Sequence, residues 1–472
     1  MKRFPLIFLF FLNAINLSSQ VIADTLLFEP FYNLVKKNHP VVKLAGLQLD
    51  RGSSAVMLAK GSFDPQAFSY LDNKFYSGKE YYNYANGGIK ALTRTGIEFK
   101  TGYENAQGNF ISPDETTPEN GLWTAGFSMP VLQGLLIDRQ RAALREAKIY
   151  RNSTQAEQNK IINDLLLQAG NLYWEWAALN NQLEVYNEAI RFSETRFNGL
   201  KMSFALGDRP AIDTVETLIQ LQNFRYSQNQ TLLQLVQKTY ELSIFTWDEN
   251  GNPGLVPENS KAPDFTNQVF RLSITGDSLT NAMNALNTVH PDLLIYNFKL
   301  QQLEVEKKWK TEKLKPKLNV RYNLLSYPTG NQPPGEFSTS NYKWGAEFGM
   351  PVFLRQERAD LKFTKIKINE TSLNNSLKQK EISAKLMGNY RKCEYLLEQI
   401  ILMRNVVENY KRMLDAERRN FEAGESSVFL VNSRELALVQ AELKLIESES
   451  KYKQAVLQYY HAAGTLNQQT KF

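Results

Sequence analysis

Apolar residues recur along this chain with two different periods. From Trp123 to Met129 they alternate: Trp123, Ala125, Phe127 and Met129 are separated by Thr124, Gly126 and Ser128. Trp344, Ala346, Phe348 and Met350 alternate in the same way with Gly345, Glu347 and Gly349. Val320, Tyr322 and Leu324 are interleaved with Asn319, Arg321 and Asn323, and Ile97, Phe99, Thr101 and Tyr103 with Glu98, Lys100 and Gly102. A period of two predicts strands with one apolar and one polar face. Beyond each Met-Pro pair the period becomes seven. Ala169, Trp176, Leu183, Ile190, Phe197 and Phe204 form one seam, with Leu165, Leu172, Leu179 and Tyr186 beside it. Leu386, Cys393, Ile400, Val407, Leu414 and Phe421 form the other, beside Leu396, Met403 and Tyr410. Sustained seams of this kind predict coiled-coil helices.

Proline is missing between Val131 and Arg209 and everywhere after Pro351. Runs of this length admit helices of about 70 residues, or roughly 105 Å at 1.5 Å per residue. Gly207 and Gly424 stand where the first arm of each hairpin must end, because a left-handed C-cap costs glycine least. A returning seam follows the second turn at Val431, Leu438, Leu445, Tyr452 and Tyr459. Each half therefore predicts a helix, two strands, a very long helix, a tight turn and a returning helix, projecting as a rod.

The two halves are copies of one plan. Trp123–Leu132 aligns with Trp344–Phe353, with six of ten positions identical. His39-Pro40 recurs as His290-Pro291, and Phe204-Ala-Leu-Gly-Asp208 as Phe421-Glu-Ala-Gly-Glu425. Three matches in one order mark a tandem duplication. The expected segments are a signal peptide at 1–23, a first repeat at 24–250 with its tip near 204–210, a linker at 251–275, and a second repeat at 276–472 with its tip near 421–426. The signal is expected because Lys2-Arg3 precede an apolar stretch from Phe4 to Leu17, with Val21-Ile22-Ala23 at the cleavage position. A buried N-terminal helix is the alternative. The context is export.

Composition narrows the chemistry. The 472 residues carry a formal charge of +6, spread along the chain, which does not argue for nucleic-acid binding. A mean hydropathy of −0.40 argues against a bundle of transmembrane helices. One Cys and three His leave no internal disulfide and no Cys-based metal cage. The chain has no G-x-x-x-x-G-K-[ST] loop, and it holds no credible catalytic set. No catalytic residue, cofactor site or metal site is expected.

Strands with an aromatic face and a charged face fit a barrel with lipid outside and water inside; a soluble sandwich with one wet face is the other reading. Two strands per half would give four per chain. Four strands cannot close, because open edges in lipid leave backbone donors unsatisfied, so closure needs several chains. With these parts on view, the chain resembles the TolC-like outer membrane efflux proteins over residues 24–472. The likeness rests on the duplicated strands ending in Met129-Pro130-Val131 and Met350-Pro351-Val352, the proline-free hairpins and the Phe-x-x-Gly turns. It implies a mostly helical fold with transmembrane β, a homotrimer, a twelve-stranded barrel in the outer membrane and a helical tunnel extending into the periplasm. It further implies a passive exit duct for efflux or type I secretion, docked to a periplasmic adaptor protein and an inner membrane transporter.

The resemblance also carries site residues. Ala205, Leu206 and Gly207 with Ala423, Gly424 and Glu425 would form the periplasmic tip that the adaptor contacts. Asp213 and Glu216 would stand at the tunnel entrance, where the second half has Leu430 and Ser433 and so departs from a doubly acidic ring. The same two acids equally suit a helix start favoured by the dipole. Trp123, Phe127, Met129, Trp344, Phe348 and Met350 would face lipid. His39 and His290 are expected to serve turns and caps, and Cys393 to fill a buried apolar position. Tyr70, Tyr76, Tyr81, Tyr82, Tyr84 and Tyr103 read as interfacial girdle residues, with a sugar platform as the alternative. Between Pro40 and Trp123 lie 82 residues, against 52 between Pro291 and Trp344. The surplus is expected to hold the Ile97–Tyr103 strand and a longer extracellular excursion at 105–120. The alternative function is an envelope-tethered structural or adhesive coiled-coil protein without a pore.

Overall fold

Both predicted periods become elements of the expected kind. The structure, a computed structural model, describes residues 25–265, 274–327 and 337–469. The signal at 1–23 and part of the linker lie outside the described residues. In chain order the elements are α1 (Phe28–Asn38), α2 (Pro40–Gly61), β1 (Gln66–Tyr76), β2 (Lys79–Leu92), β3 (Glu98–Gln107), β4 (Leu122–Pro130), α3 (Arg139–Ala205) and α4 (Ala211–Ser243). They continue with α5 (Gly276–Val289), α6 (Pro291–Glu312), β5 (Lys317–Ser326), β6 (Tyr342–Gly349), α7 (Arg355–Glu422) and α8 (Val428–Ala462). The proline-free runs form uninterrupted helices of 67 residues in α3 and 68 in α7.

The chain divides into two compact units, and each takes segments from both repeats. The first draws its described residues from Met1–Lys43, Ile162–Asn281 and Lys385–Phe472. The second draws from Leu44–Ile161 and Ala282–Ala384.

The first unit is helical. Its core gathers Phe31, Tyr32 and Val35 of α1, Leu166, Ala169, Tyr173 and Trp176 of α3, Leu242 of α4 and Leu457 of α8. Fully burying each large side chain stabilises by about 1.5–3 kcal/mol. Two polar groups of this core are paired: the Tyr173 hydroxyl donates to the Leu26 carbonyl at 2.8 Å, and Trp176 Nε1 donates to Thr239 Oγ1 at 3.0 Å. At Gly170 an added Cβ would stand 2.5 Å from Leu457 Cδ1, so a small residue lets α3 and α8 approach closely. The α7 seam at Leu386, Cys393, Ile400, Val407 and Leu414 is buried throughout. Cys393 sits in it as the sequence predicts, and burial pushes its thiol up to about 12.

The second unit holds one antiparallel sheet of six strands in chain order, β1-β2-β3-β4-β5-β6. This corrects the expectation of four strands per chain. The predicted four are β3 to β6; β1 and β2 form an additional hairpin. Its two-residue turn places Ser77 at φ 54° and Gly78 at φ 72°, the left-handed pair that matches the twist of a tight hairpin. The surplus length of the first repeat does hold the strand predicted at Ile97–Tyr103, here β3, but the longer excursion expected at 105–120 is corrected: the surplus folds as strand and does not lengthen the loop before Trp123. Pro40 precedes the start of β1 by the same 26 residues that separate Pro291 from β5, so β2 and β3 are the added pair.

Glycine makes this sheet possible at two crossings. An added Cβ at Gly88 would lie 2.2 Å from the Thr101 carbonyl oxygen, and one at Gly126 2.2 Å from that of Tyr322. Both His-Pro pairs open helices as expected. His39 Nδ1 accepts from the Val41 amide and His290 Nδ1 from the Asp292 amide, each at 3.2 Å. At the sheet-to-helix corner, Asp138 caps α3 by accepting from the Arg141 amide at 2.7 Å, and Arg141 reaches back to the Thr95 and Leu135 carbonyls.

Candidate functional site

Strand register decides which side chains share a face. Phe99 pairs with Phe127, Phe127 with Tyr322, and Tyr322 with Trp344. Ile89, Thr101, Ala125 and Leu324 continue the same face one row away, and Tyr103 lies beside Trp123 with ring centroids 5.5 Å apart. Met129 pairs with Val320 and Leu318 with Phe348. Every large apolar residue of the predicted alternation in β3 to β6 therefore falls on one side of the sheet. Among the described residues nothing covers that side: Trp344 is 66% exposed and Phe348 67%, with Phe99 and Leu71 also exposed. Trp123, Phe127 and Met129 are half-buried by their neighbours. Met350 follows directly after the end of β6 and is exposed.

The opposite face carries polar residues on all six strands, with Phe68, Leu122 and Leu325 among them. Asp72 accepts from the hydroxyls of Tyr70 at 3.1 Å and Tyr82 at 3.2 Å. The Tyr84 hydroxyl donates to Glu104 at 3.0 Å and accepts from Asn86 Nδ2 at 3.1 Å. Tyr70, Tyr82 and Tyr84 thus line the polar face with their hydroxyls engaged, which corrects their reading as girdle residues. One row of directly paired positions on this face runs Gln66, Lys90, Lys100, Gly126, Asn323, Lys343. The sequence reading missed this row, because lysines on three separate strands reveal their alignment only through the register.

The hairpin tips repeat one geometry. At the first, the Asp208 amide donates to the Ser203 carbonyl at 2.9 Å and Gly207 to Phe204 at 3.0 Å. At the second, Glu425 donates to Asn420 at 2.8 Å and Gly424 to Phe421 at 3.1 Å. Each is a six-to-one bond closed over a five-to-two bond, with Gly207 at φ 84° and Gly424 at φ 80°. Ala205, Leu206, Gly207, Ala423, Gly424 and Glu425 are all exposed, and Leu206 is 78% exposed. The Arg209 guanidinium lies 4.7 Å above the Phe421 ring and brings the two tips together. Asp213 lies in the first turn of α4, whose N-cap Pro210 supplies no side-chain bond. Asp213 and Glu216 are both half-buried, while Leu430 and Ser433 are exposed.

Away from the tip, α4 carries Ile212, Ile219, Tyr226, Leu233 and Tyr240 at intervals of seven, and all five are exposed. This is a helix-packing seam without a partner among the described residues. Between the two hairpins a buried carboxylate, Glu435 of α8, is held by Arg196 of α3 and Arg418 of α7, with Ser193 donating at 3.2 Å. Among the described residues no group of three or more His, Cys, Asp or Glu could hold a metal ion, and no helix is long and apolar enough to cross a membrane.

Comparison with known proteins adds a family match over part of the chain, and the fold. Residues 285–465 match the family model of outer membrane efflux proteins. No curated protein matches the sequence. Among solved structures, the open state of the Neisseria gonorrhoeae MtrE outer membrane channel is similar with a TM-score of 0.68 at 12% identity, over 94% of this chain and 90% of that one. The Campylobacter jejuni CmeC outer membrane channel gives 0.65 at 12% identity, over 93% and 85%. A membrane protein from Pseudomonas aeruginosa gives 0.67 at 11% identity, over 94% and 91%. Identities this low establish the fold. The likeness to TolC-like outer membrane efflux proteins read from the sequence therefore holds, through the family match in the second repeat and through the fold across more than nine-tenths of the chain.

Proposed function

We propose that this chain is a protomer of a passive, non-enzymatic exit duct in the outer membrane, continued by a helical tunnel in the periplasm and serving efflux or type I secretion. The observation that carries this reading is the register of the sheet. It gathers the large apolar residues on one face, leaves them exposed, and gathers the charges on the other. Hydrocarbon outside and water inside is the environment such a sheet requires. Trp123, Phe127, Met129, Trp344, Phe348 and Met350 are the lipid-facing set.

The working unit is a homotrimer. Two features of the single chain ask for copies: the open sheet edges at β1 and β6, and the uncovered seam on α4. In a closed ring β1 of one copy pairs with β6 of the next. Six strands per chain then make eighteen in the trimer, in place of the twelve that the resemblance implies. The tips at Ala205–Gly207 and Ala423–Glu425 are the contact for a periplasmic adaptor, which joins the duct to an inner membrane transporter. Asp213 and Glu216 line the entrance. An envelope tether without a pore would leave the apolar face of the sheet without a medium.

Planar-bilayer recording on purified, full-length protein tests the duct. Stable conductance from a detergent-extracted trimer is expected. Release from membranes by carbonate alone, with no conductance, overturns the reading in favour of the tether.

A further inference from the structure

The polar face of the sheet separates its charges by row. Lys90 and Lys100 are directly opposite one another on β2 and β3, an arrangement that like charges normally disfavour. Lys343 closes the same row on β6, beyond Gly126 and Asn323, so the row contains no carboxylate. None of the three lysines forms an ion pair or a hydrogen bond among the described residues. The single contact that orients one of them is with a ring: Lys100 Nζ lies 4.7 Å from the centroid of Phe68.

The nearby acids are engaged elsewhere or offset. Asp72 and Glu104 accept phenol hydroxyls in rows nearer the hairpin turn. Glu98, two residues from Lys100 on the same face, shares its own row with Ser128 and Arg321. Glu347 lies on the same face of β6, opposite Asn319 and one row beyond Arg321. Arg321 also forms no ion pair among the described residues, so the four cations Lys90, Lys100, Arg321 and Lys343 keep a positive surplus over Glu98 and Glu347.

We propose that Lys90, Lys100 and Lys343 form an anion-binding selectivity band inside the duct, suited to small organic anions with two or more carboxylate or phosphate groups. The inference rests on the duct reading above, because it requires the polar face to line a shared lumen. Threefold repetition brings the band around the lumen three times, and low-dielectric walls focus its field on passing solutes. An anion carrying several charges meets more than one lysine at a time, whereas a single chloride meets one. The added strands contribute two of the three lysines, so the selectivity belongs to the part of the first repeat that the second lacks.

The test compares the wild-type trimer with the Lys90→Gln/Lys100→Gln/Lys343→Gln variant in planar bilayers, under a potassium chloride gradient and with citrate added to one side. The wild type is expected to prefer anions and to be blocked by citrate. The variant should conduct potassium chloride, lose several-fold in its anion-to-cation permeability ratio, and need at least several-fold more citrate for the same block. Arginine at all three positions should restore both properties. A conducting variant with an unchanged permeability ratio and unchanged block overturns the band and leaves the duct standing. A wild-type trimer that does not conduct overturns the duct reading and the band with it.

Discussion

In the first repeat a helix of 22 residues leads into four strands; in the second, another of 22 residues leads into two. The long helices that follow differ by a single residue, 67 against 68, and the returning helices by two, 33 against 35. The difference shows which parts of a duplicated chain are free to change. A residue inserted into a heptad seam rotates everything after it by about 100°, so helix length is held by packing along the whole seam. Strands can be added in pairs, because an antiparallel pair returns the chain to the side from which it left. Four and two are both even, and each repeat still delivers its long helix to the same side of the sheet.

The largest expected effect breaks this correspondence inside the helical hairpins. Glu435 on α8 is buried between Arg196 and Arg418, whereas the matching position of the first repeat is Leu218. Glu435→Ala strands a buried guanidinium and is expected to cost about 3–5 kcal/mol. Glu435→Leu, which copies the first repeat, should recover little of that loss, since Arg196 stays unpaired. Thermal unfolding of the detergent-solubilised protein measures both, and a wild-type midpoint in either variant would contradict the pairing.

Next comes the place where the repeats meet in the sheet. A Cβ at Gly126 would lie 2.1 Å from Asn323 Oδ1 and 2.2 Å from the Tyr322 carbonyl, so Gly126→Val must push β4 and β5 apart. The expected cost is about 3 kcal/mol, read as loss of the heat-resistant band of the proposed trimer on a gel. Gly88→Val, which sets a Cβ 2.2 Å from the Thr101 carbonyl oxygen where β2 meets β3, should have a similar effect if both strands belong to the proposed barrel. A heat-resistant trimer in Gly88→Val would set β1 and β2 outside it.

The smallest effect examines what the repeats share. Gly207 and Gly424 have open space where a Cβ would go, so only their positive φ resists substitution. Gly207→Ala and Gly424→Ala should each cost about 1–2 kcal/mol, and by matching amounts. Unequal shifts in the unfolding midpoint would show that the two tips are held differently.

The heptad and the strand alternation were legible in the amino-acid sequence because each depends on contrast along the chain. Trp176, Ile190, Cys393 and Ile400 are apolar at the right interval, and all are buried. The hairpin of β1 and β2 escaped for a chemical reason. Tyr70, Tyr82 and Tyr84 put aromatic rings on the polar face, where their hydroxyls meet Asp72 and Glu104 and blur the period of two. Gly87-Gly88 resembles a turn, yet it lies inside β2 because β3 passes too close for a side chain.

The duplication, the helix lengths, the glycine-capped tips and the strands with opposed faces were determined by the sequence alone, since each is a matter of neighbours within a few residues or of a repeated word. Tertiary structure decided the rest: the order of the six strands, the lysine row across three of them, the ring contact between Arg209 and Phe421, and the cluster around Glu435. These join residues far apart in the chain through strand register and helix packing. Neither leaves a local signal, because pairing energy depends on which segments arrive side by side.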